Sequence, residues 1–76
     1  MAKLRDVLQF VAYGTALDIA ETNRMGINHL FGEDELITRE IIERNHQELL
    51  ARELYGGIHA EGYRRDTLFI PLDYKN

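Results

Sequence analysis

Apolar side chains near the start of the chain recur at helical spacing. Between Leu4 and Val11 they fall at i, i+3, i+4 and i+7, which places them on one face of a short helix. A glycine inside a helix costs about 1 kcal/mol, and Gly14 follows this segment directly. The pattern therefore predicts a helix that ends near Ala12 or Tyr13, with Gly14 as its left-handed cap.

Beyond Gly14 the apolar period changes from helical spacing to two. Residues 15–22 are predicted to form a strand, with Leu17 and Ile19 on its better-buried face. Residues 22–26 contain Asn and Gly, which tolerate the positive φ angles of tight turns. Residues 27–31 can then return as a second strand, so the segment predicts a β-hairpin.

The middle of the chain carries the longest helical pattern. Residues 37–54 place pairs of isoleucine and leucine on one side, and Thr38 or Asp34 can act as N-cap. Asn45 and His46 interrupt the apolar side. They either put two polar groups on a packing face or mark a bend into two shorter helices.

The last third of the chain predicts a second hairpin. A strand over residues 54–60 is expected, although its two glycines could instead end the preceding helix. A polar turn over 61–66 and a closing strand over 67–74 follow. Because Pro71 has no N–H for a ladder, the closing strand is expected at a sheet edge, or with a free side at that point.

These elements predict one small α+β domain over residues 1–76. The expected order is α-β-β-α-β-β, with an antiparallel sheet and the helices on one of its faces. A chain of 76 residues without cysteine has few means to reinforce its core, and its net stability is expected to be roughly 3–5 kcal/mol. With 45% hydrophobic residues, association into a homo-oligomer such as a dimer is a further expectation.

Charge and hydropathy limit the classes of partner. The net charge is −4, with thirteen acidic and nine basic residues, whereas phosphate binding normally needs a basic face. Nucleic acid is therefore not the expected partner. No apolar run approaches the length of a membrane span, and the N-terminal residues lack a signal-peptide core. The expectation is a cytoplasmic protein without a membrane partner.

Residues for catalysis or metal binding are sparse. The chain has no serine and no cysteine, which removes Ser-His-Asp catalysis and thiolate ligands. The sharpest metal candidate is Glu43-x-x-His46, a spacing that di-iron proteins use in two copies and this chain has once. We therefore expect no catalytic residue, no cofactor and no metal site, and a protein that is not an enzyme.

Two charged segments are the candidate partner-binding residues. The first, at the predicted tip of the second hairpin, is Tyr63, Arg64 and Arg65. An aromatic ring beside two guanidinium groups can stack on or pair with an anionic partner. An ordinary charged turn is the alternative explanation.

The second segment is acidic and precedes the middle helix. It consists of Glu33, Asp34 and Glu35, which could meet a basic patch on a partner. Carboxylates at this position could instead have a local role, because they complement the positive end of a helix.

The order of these motifs resembles a group of short phage and prophage proteins. In that group an opening helix runs into a Tyr-x-Thr-like turn, a strand, and a late strand of the Leu-x-Ile-x-Leu kind. The matching positions here are Leu4, Asp6, Val7, Leu8, Tyr13, Thr15, Leu68, Ile70 and Leu72. The longer middle helix and the Gly56-Gly57 pair depart from the pattern. The resemblance implies a phage-encoded, intracellular setting and supplies no catalytic residues.

Small phage proteins without catalytic residues generally act by contact. The expected function is a non-enzymatic accessory protein that binds a host protein or complex in the host cytoplasm. The leading form is an inhibitor of a host enzyme or defence complex such as a CRISPR effector, as anti-CRISPR and other anti-defence proteins are. The alternatives are a self-assembling structural or morphogenesis component and, less favoured, a nucleic-acid-binding module.

Overall fold

The secondary structure of the chain follows the predicted order of helices and strands. A computed structural model describes residues 2–32, 34–56, 62–64 and 66–74, with residues 62–64 given by their backbone. The elements are α1 (Leu4–Leu8), β1 (Ala16–Asn23), β2 (Gly26–His29), α2 (Arg39–Asn45), a 3-10 helix (Gln47–Ala51), β3 (Gly62–Arg64) and β4 (Thr67–Asp73). The α+β class predicted from the sequence is confirmed.

The four strands form a mixed sheet in the order β2-β1-β4-β3. Both hairpin pairs are antiparallel, but β1 and β4 run parallel at the centre, so the prediction of an antiparallel sheet is wrong. The reason lies in β4, where residues 68–72 are all buried. Because successive side chains point to opposite faces, such a strand is covered on both sides, as parallel strands usually are.

The main core lies on the helix-bearing face of the sheet. Leu17 of β1 is in register with Leu68 of β4, and Ile19 is in register with Ile70. These side chains form one cluster with residues of both helices. Its fully buried or nearly buried members are Leu4, Leu8, Val11, Leu17, Ile19, Ile37, Ile42, Leu68, Ile70 and Leu72.

Helix α1 ends earlier than the apolar spacing predicts. It stops at Leu8, and the next amides, of Phe10 and Val11, donate to carbonyls three residues back. These tighter bonds turn the chain out of the α-helix while returning Val11 to the core. Gly14 lies in a later turn, and its φ is not positive, so the prediction of a left-handed cap at Gly14 is wrong.

The first hairpin is confirmed. The Asn23 side-chain oxygen Oδ1 accepts hydrogen bonds from the amides of Met25 and Gly26, at 2.7 and 3.1 Å. Gly26 has a φ of 157°. The second strand is shorter than predicted because the chain leaves the sheet after His29.

The middle helical segment bends at the polar residues, which confirms one of the two alternatives. Helix α2 ends at Asn45, His46 has φ −134° and ψ 55°, and the 3-10 helix begins at Gln47. Thr38 lies at the N-cap position of α2, as predicted. Within the described residues, no helix has the length and apolar composition that a membrane span would need.

The second hairpin differs from the prediction in its bounds. The 3-10 helix ends at Ala51, and Leu54 forms an isolated bridge with Leu72. Tyr55 and Gly56, which the same prediction placed in a strand, are not in one. Residues 57–60 lie outside the described residues. Residues 62–64, predicted as part of a polar turn, form strand β3 instead. Polar residues are compatible with a strand there because β3 lies at the edge of the sheet.

Pro71 lies on an internal strand, so its predicted place on an edge strand is wrong. The pairing between β3 and β4 ends at Phe69, two residues before the proline. The Pro71 carbonyl accepts a hydrogen bond of 3.0 Å from the Tyr55 amide. The segment around Leu54 and Tyr55 takes the place of β3 beside this part of β4, so the side is not free. Pro71 fits there because only its carbonyl takes part in the bond to Tyr55.

Candidate functional site

A groove of about 570 Å³ lies where the connection between β2 and α2 passes β1 and β4. We call it the acidic groove because its charged or titratable lining residues are three carboxylates and one histidine. These are Asp18, His29, Asp34 and Glu35. Its apolar lining residues include Leu17, Phe31, Leu36, Ile37 and Phe69.

Two backbone hydrogen bonds attach the connection to β1. Leu30 donates to the Ile19 carbonyl at 3.0 Å, and Leu17 donates to the Ile37 carbonyl at 2.7 Å. The two ends of the connection are therefore bonded to β1 at Ile19 and Leu17, which lie two residues apart on that strand. Asp18 lies between the two attachment points, which places its side chain in the acidic groove.

The carboxylate of Asp18 is held by the neighbouring strand. His29 lies opposite Ala20, so Asp18 is its diagonal neighbour on the same face of the sheet. The Nδ1 atom of His29 lies 2.7 Å from Oδ1 of Asp18. The His29 and Asp18 side chains are 51% and 30% exposed, so the pair is accessible from the groove.

The ring of Phe31 packs the β2–α2 connection against the helical layer. It packs edge-on against His46, with ring centroids 5.3 Å apart and an interplanar angle of 73°. His46 belongs to the bend between α2 and the 3-10 helix, so this contact ties the groove wall to the helical layer. The packing also gives His46 an ordinary structural role, while Glu43 accepts a hydrogen bond from Arg39.

The acidic groove combines a buried apolar base with an exposed apolar rim. Phe69 is 5% exposed and lies in register with Asp18 on the same face of the sheet, so its ring forms a firm base. Leu36, by contrast, is 67% exposed. A large apolar side chain next to carboxylates provides contact area at the groove entrance.

The predicted acidic segment contributes directly to this site. Asp34 and Glu35 are exposed and line the groove, and the Glu35 amide donates to the Gly32 carbonyl at 3.1 Å. Glu33, the first residue of the segment, lies outside the described residues. The sequence located these carboxylates but gave no signal for Asp18, His29 or Leu36 beside them.

The predicted aromatic and basic segment falls on a strand. Tyr63 and Arg64 belong to β3, in register with Leu68 and Thr67, so their predicted place at the hairpin tip is wrong. Arg65 lies outside the described residues. A binding role for these three residues stays a prediction.

The side chains that line the acidic groove are mainly carboxylates and apolar groups. Thr67 is the one hydroxyl-bearing side chain among the described lining residues. In the described part of the chain, no group of three or more His, Asp or Glu residues is placed to hold a metal ion. Carboxylates above an apolar base can instead pair with a guanidinium or ammonium group while the base contacts its aliphatic stem.

A second surface feature is the contact between Tyr13 and Arg39. The guanidinium carbon of Arg39 lies 4.6 Å from the centroid of the Tyr13 ring. Arg39 also donates to Glu43 Oε1 at 2.8 Å and to the Val11 carbonyl at 3.1 Å. The hydrogen bond to Glu43 raises the pKa of Arg39 above its ordinary value. Tyr13 therefore stabilises the junction after α1.

Comparisons with known proteins add no relative to this description. Protein-family models, curated protein sequences and solved structures were each compared with the chain, and none gives a match.

Proposed function

We propose that this protein is a non-enzymatic accessory factor of phage type that acts by protein–protein contact. In its leading form it inhibits a host enzyme or a defence complex such as a CRISPR effector. The observation that supports this proposal is the acidic groove, which joins exposed carboxylates to an apolar base. The resemblance to short phage proteins supports the biological setting.

The lining of the groove indicates the chemistry of the partner segment. Asp34 and Glu35 favour an arginine or lysine side chain, and the exposed Leu36 favours an apolar residue next to it. The net charge of −4 favours approach to a basic surface. The proposed occupant is therefore a basic segment of a host protein with an apolar neighbour.

A capture experiment with matched charge variants tests the groove. Tagged wild-type protein, Asp34→Lys and Glu48→Lys are compared in host lysate, since both variants change the net charge equally. Glu48 is exposed on the 3-10 helix and does not line the groove. A host protein retained by wild type and Glu48→Lys but lost by Asp34→Lys is the expected result. Equal retention by all three forms would contradict the proposal.

The inhibitory action has its own test. The protein is expressed in a host whose defence system blocks a phage, and plaques are counted for wild type and Asp34→Lys. Wild type is expected to raise plaque number, and Asp34→Lys is expected to do so less. Unchanged plaque numbers across several defence systems would count against the anti-defence form of the proposal.

A self-assembling structural component is the second candidate. It is favoured by the exposed edge strand β2, all four residues of which are exposed. Light scattering over a concentration series separates the two candidates. Large ordered assemblies favour the structural component, whereas a small defined species favours the inhibitor.

A further inference from the structure

His29 gives the acidic groove a group that can change its charge near neutral pH. It shares the groove lining with three carboxylates, those of Asp18, Asp34 and Glu35. A histidine side chain ordinarily gains or loses its proton in the range between about pH 5 and pH 8, whereas carboxylates do so at lower pH. The net charge of the groove lining therefore depends on whether His29 is protonated.

The contact with Asp18 determines which ring nitrogen of neutral His29 carries the hydrogen. Nδ1 lies 2.7 Å from Oδ1 of Asp18, and an ionised carboxylate only accepts hydrogen bonds. Nδ1 is therefore the donor, which leaves Nε2 as an acceptor. Within the described residues Nε2 has no hydrogen-bond partner, and the side chain is 51% exposed. Neutral His29 can thus accept an N–H group from a bound arginine or lysine side chain.

We propose that protonation of His29 weakens the binding of a basic segment in the acidic groove. This inference rests on the proposed function and adds control of the same site by pH. Protonation converts Nε2 from an acceptor into a donor, so it can no longer bond to a guanidinium or ammonium group. It also adds one positive charge beside the carboxylates that attract that group. Both changes make the groove bind a basic segment less tightly as the pH falls.

The charged groups that face His29 come from β1 and from the β2–α2 connection. Asp18 of β1 contacts the ring, and Asp34 and Glu35 of the connection line the same groove. On β2 itself, residues 26–28 are uncharged. Among the described lining residues there is no arginine or lysine. A proton on His29 is therefore the positive charge that opposes a bound cation in this groove.

His46 provides a matched control because it is a described histidine outside the groove lining. Its ring packs edge-on against Phe31, with the centroids 5.3 Å apart. His46→Phe keeps a ring at this position while removing the imidazole. The pH dependence of binding is expected to be the same in His46→Phe as in the wild type.

Fluorescence anisotropy with a short peptide of alternating arginine and leucine tests the proposal. The peptide has blocked ends and a dye whose emission does not depend on pH, so it does not itself titrate in this range. Wild type is expected to bind about three- to tenfold more weakly at about pH 5.5 than at about pH 8, the effect of one added unit charge. In His29→Gln, the change in affinity over the same range is expected to be less than about twofold, because the added charge is absent.

The outcomes separate control by pH from the groove itself. Equal affinity of the wild type at both pH values, or the same pH dependence in His29→Gln, overturns the control by His29 and leaves the groove as a binding site. A wild type that binds the peptide at no pH contradicts the groove as a site for basic segments, and the control by His29 falls with it.

NMR of the wild-type imidazole signals gives an answer even if His29→Gln fails to fold. Coupling between two binding events is reciprocal, so a bound peptide must disfavour the proton by the same factor. The pH midpoint of the His29 signals is expected to move down by about 0.5–1 pH unit when the peptide is saturating, which corresponds to the three- to tenfold change. A midpoint that does not move, or that moves up, overturns the proposal.

Discussion

Asp18 and His29 join the first two strands through a contact of 2.7 Å between Oδ1 and Nδ1. The pair sits inside the acidic groove, between the two points where the β2–α2 connection attaches to β1. It therefore belongs both to the scaffold and to the proposed binding surface.

The Asp18→Asn variant separates these two roles. Its amide oxygen can still accept a hydrogen bond from His29, and the pair is partly exposed, so stability should change by less than about 1 kcal/mol. Urea denaturation measures this change. Capture of the host protein should weaken because one of the groove carboxylates is gone. A stability loss above about 2 kcal/mol, as for a buried charged hydrogen bond, would contradict this assignment.

Arg52 is expected to contribute more to stability than the other arginines in ion pairs. Its Nη2 atom donates to Glu21 Oε2 at 2.6 Å and to the Asp73 carbonyl at 2.7 Å, tying the end of the 3-10 helix to β1 and β4. The Arg52 and Glu21 side chains are only 19% and 16% exposed. Arg52→Met should lower the free energy of unfolding by about 1.5–3 kcal/mol, as measured by urea denaturation.

Arg44→Met is the matched control for this prediction. Arg44 also contacts a carboxylate, that of Glu40, but the two side chains are 67% and 57% exposed. Its loss should change stability by less than about 0.5 kcal/mol. Equal losses of unfolding free energy in Arg52→Met and Arg44→Met would show that burial of an ion pair does not set its contribution to stability.

Tyr13 is expected to stabilise the turn after α1 through Arg39. Tyr13→Leu keeps an apolar side chain but removes the ring face 4.6 Å from the guanidinium, so about 0.5–1 kcal/mol should be lost. Thermal or urea unfolding measures the difference. Phe10→Leu, at a position 86% exposed, should stay within about 0.5 kcal/mol of wild type. A neutral Tyr13→Leu would rule out a stabilising contact.

The parallel pairing of β1 and β4 can be tested through its central contact. Ile19 and Ile70 are in register and both 0% exposed. Ile70→Val removes one methylene group there and should cost about 0.5–1.5 kcal/mol. Ile27→Val, on the exposed edge strand, should cost less than about 0.5 kcal/mol. The urea midpoint of Ile70→Val should fall at a constant m-value. Similar midpoint shifts for Ile70→Val and Ile27→Val would contradict the packing of Ile70 against Ile19.

The sequence was sufficient to predict the elements that have a clear local signal. The period of two around Leu17 and Ile19, the turn at Asn23, and the polar interruption at His46 all led to elements that the structure contains. Each signal depends on neighbours along the chain, so no knowledge of distant contacts was needed.

The errors came from contacts between distant segments. The end of α1 depends on how Val11 returns to the core, and apolar spacing alone does not show this. The parallel direction of β4 was signalled by Phe69 and its buried neighbours, which suit a strand covered on both faces. The closing strand was nevertheless predicted to lie in an antiparallel sheet.

Only part of the candidate site could be predicted from the sequence. Asp34 and Glu35 were identified because they are consecutive acidic residues. Asp18, His29 and Phe69 come from three different strands, and strand pairing alone brings them to one groove. No local pattern marks such a combination.

Photo-crosslinking at Leu36 tests the central claim most directly. Leu36 lines the acidic groove and is 67% exposed, so a photo-reactive amino acid placed there faces whatever binds. The same amino acid at Glu48, exposed on the 3-10 helix, is the control. A covalent adduct with one host protein from position 36 and none from position 48 is the predicted result. Adducts that are equal at both positions, or missing from position 36, would contradict the assignment of the groove as the binding surface.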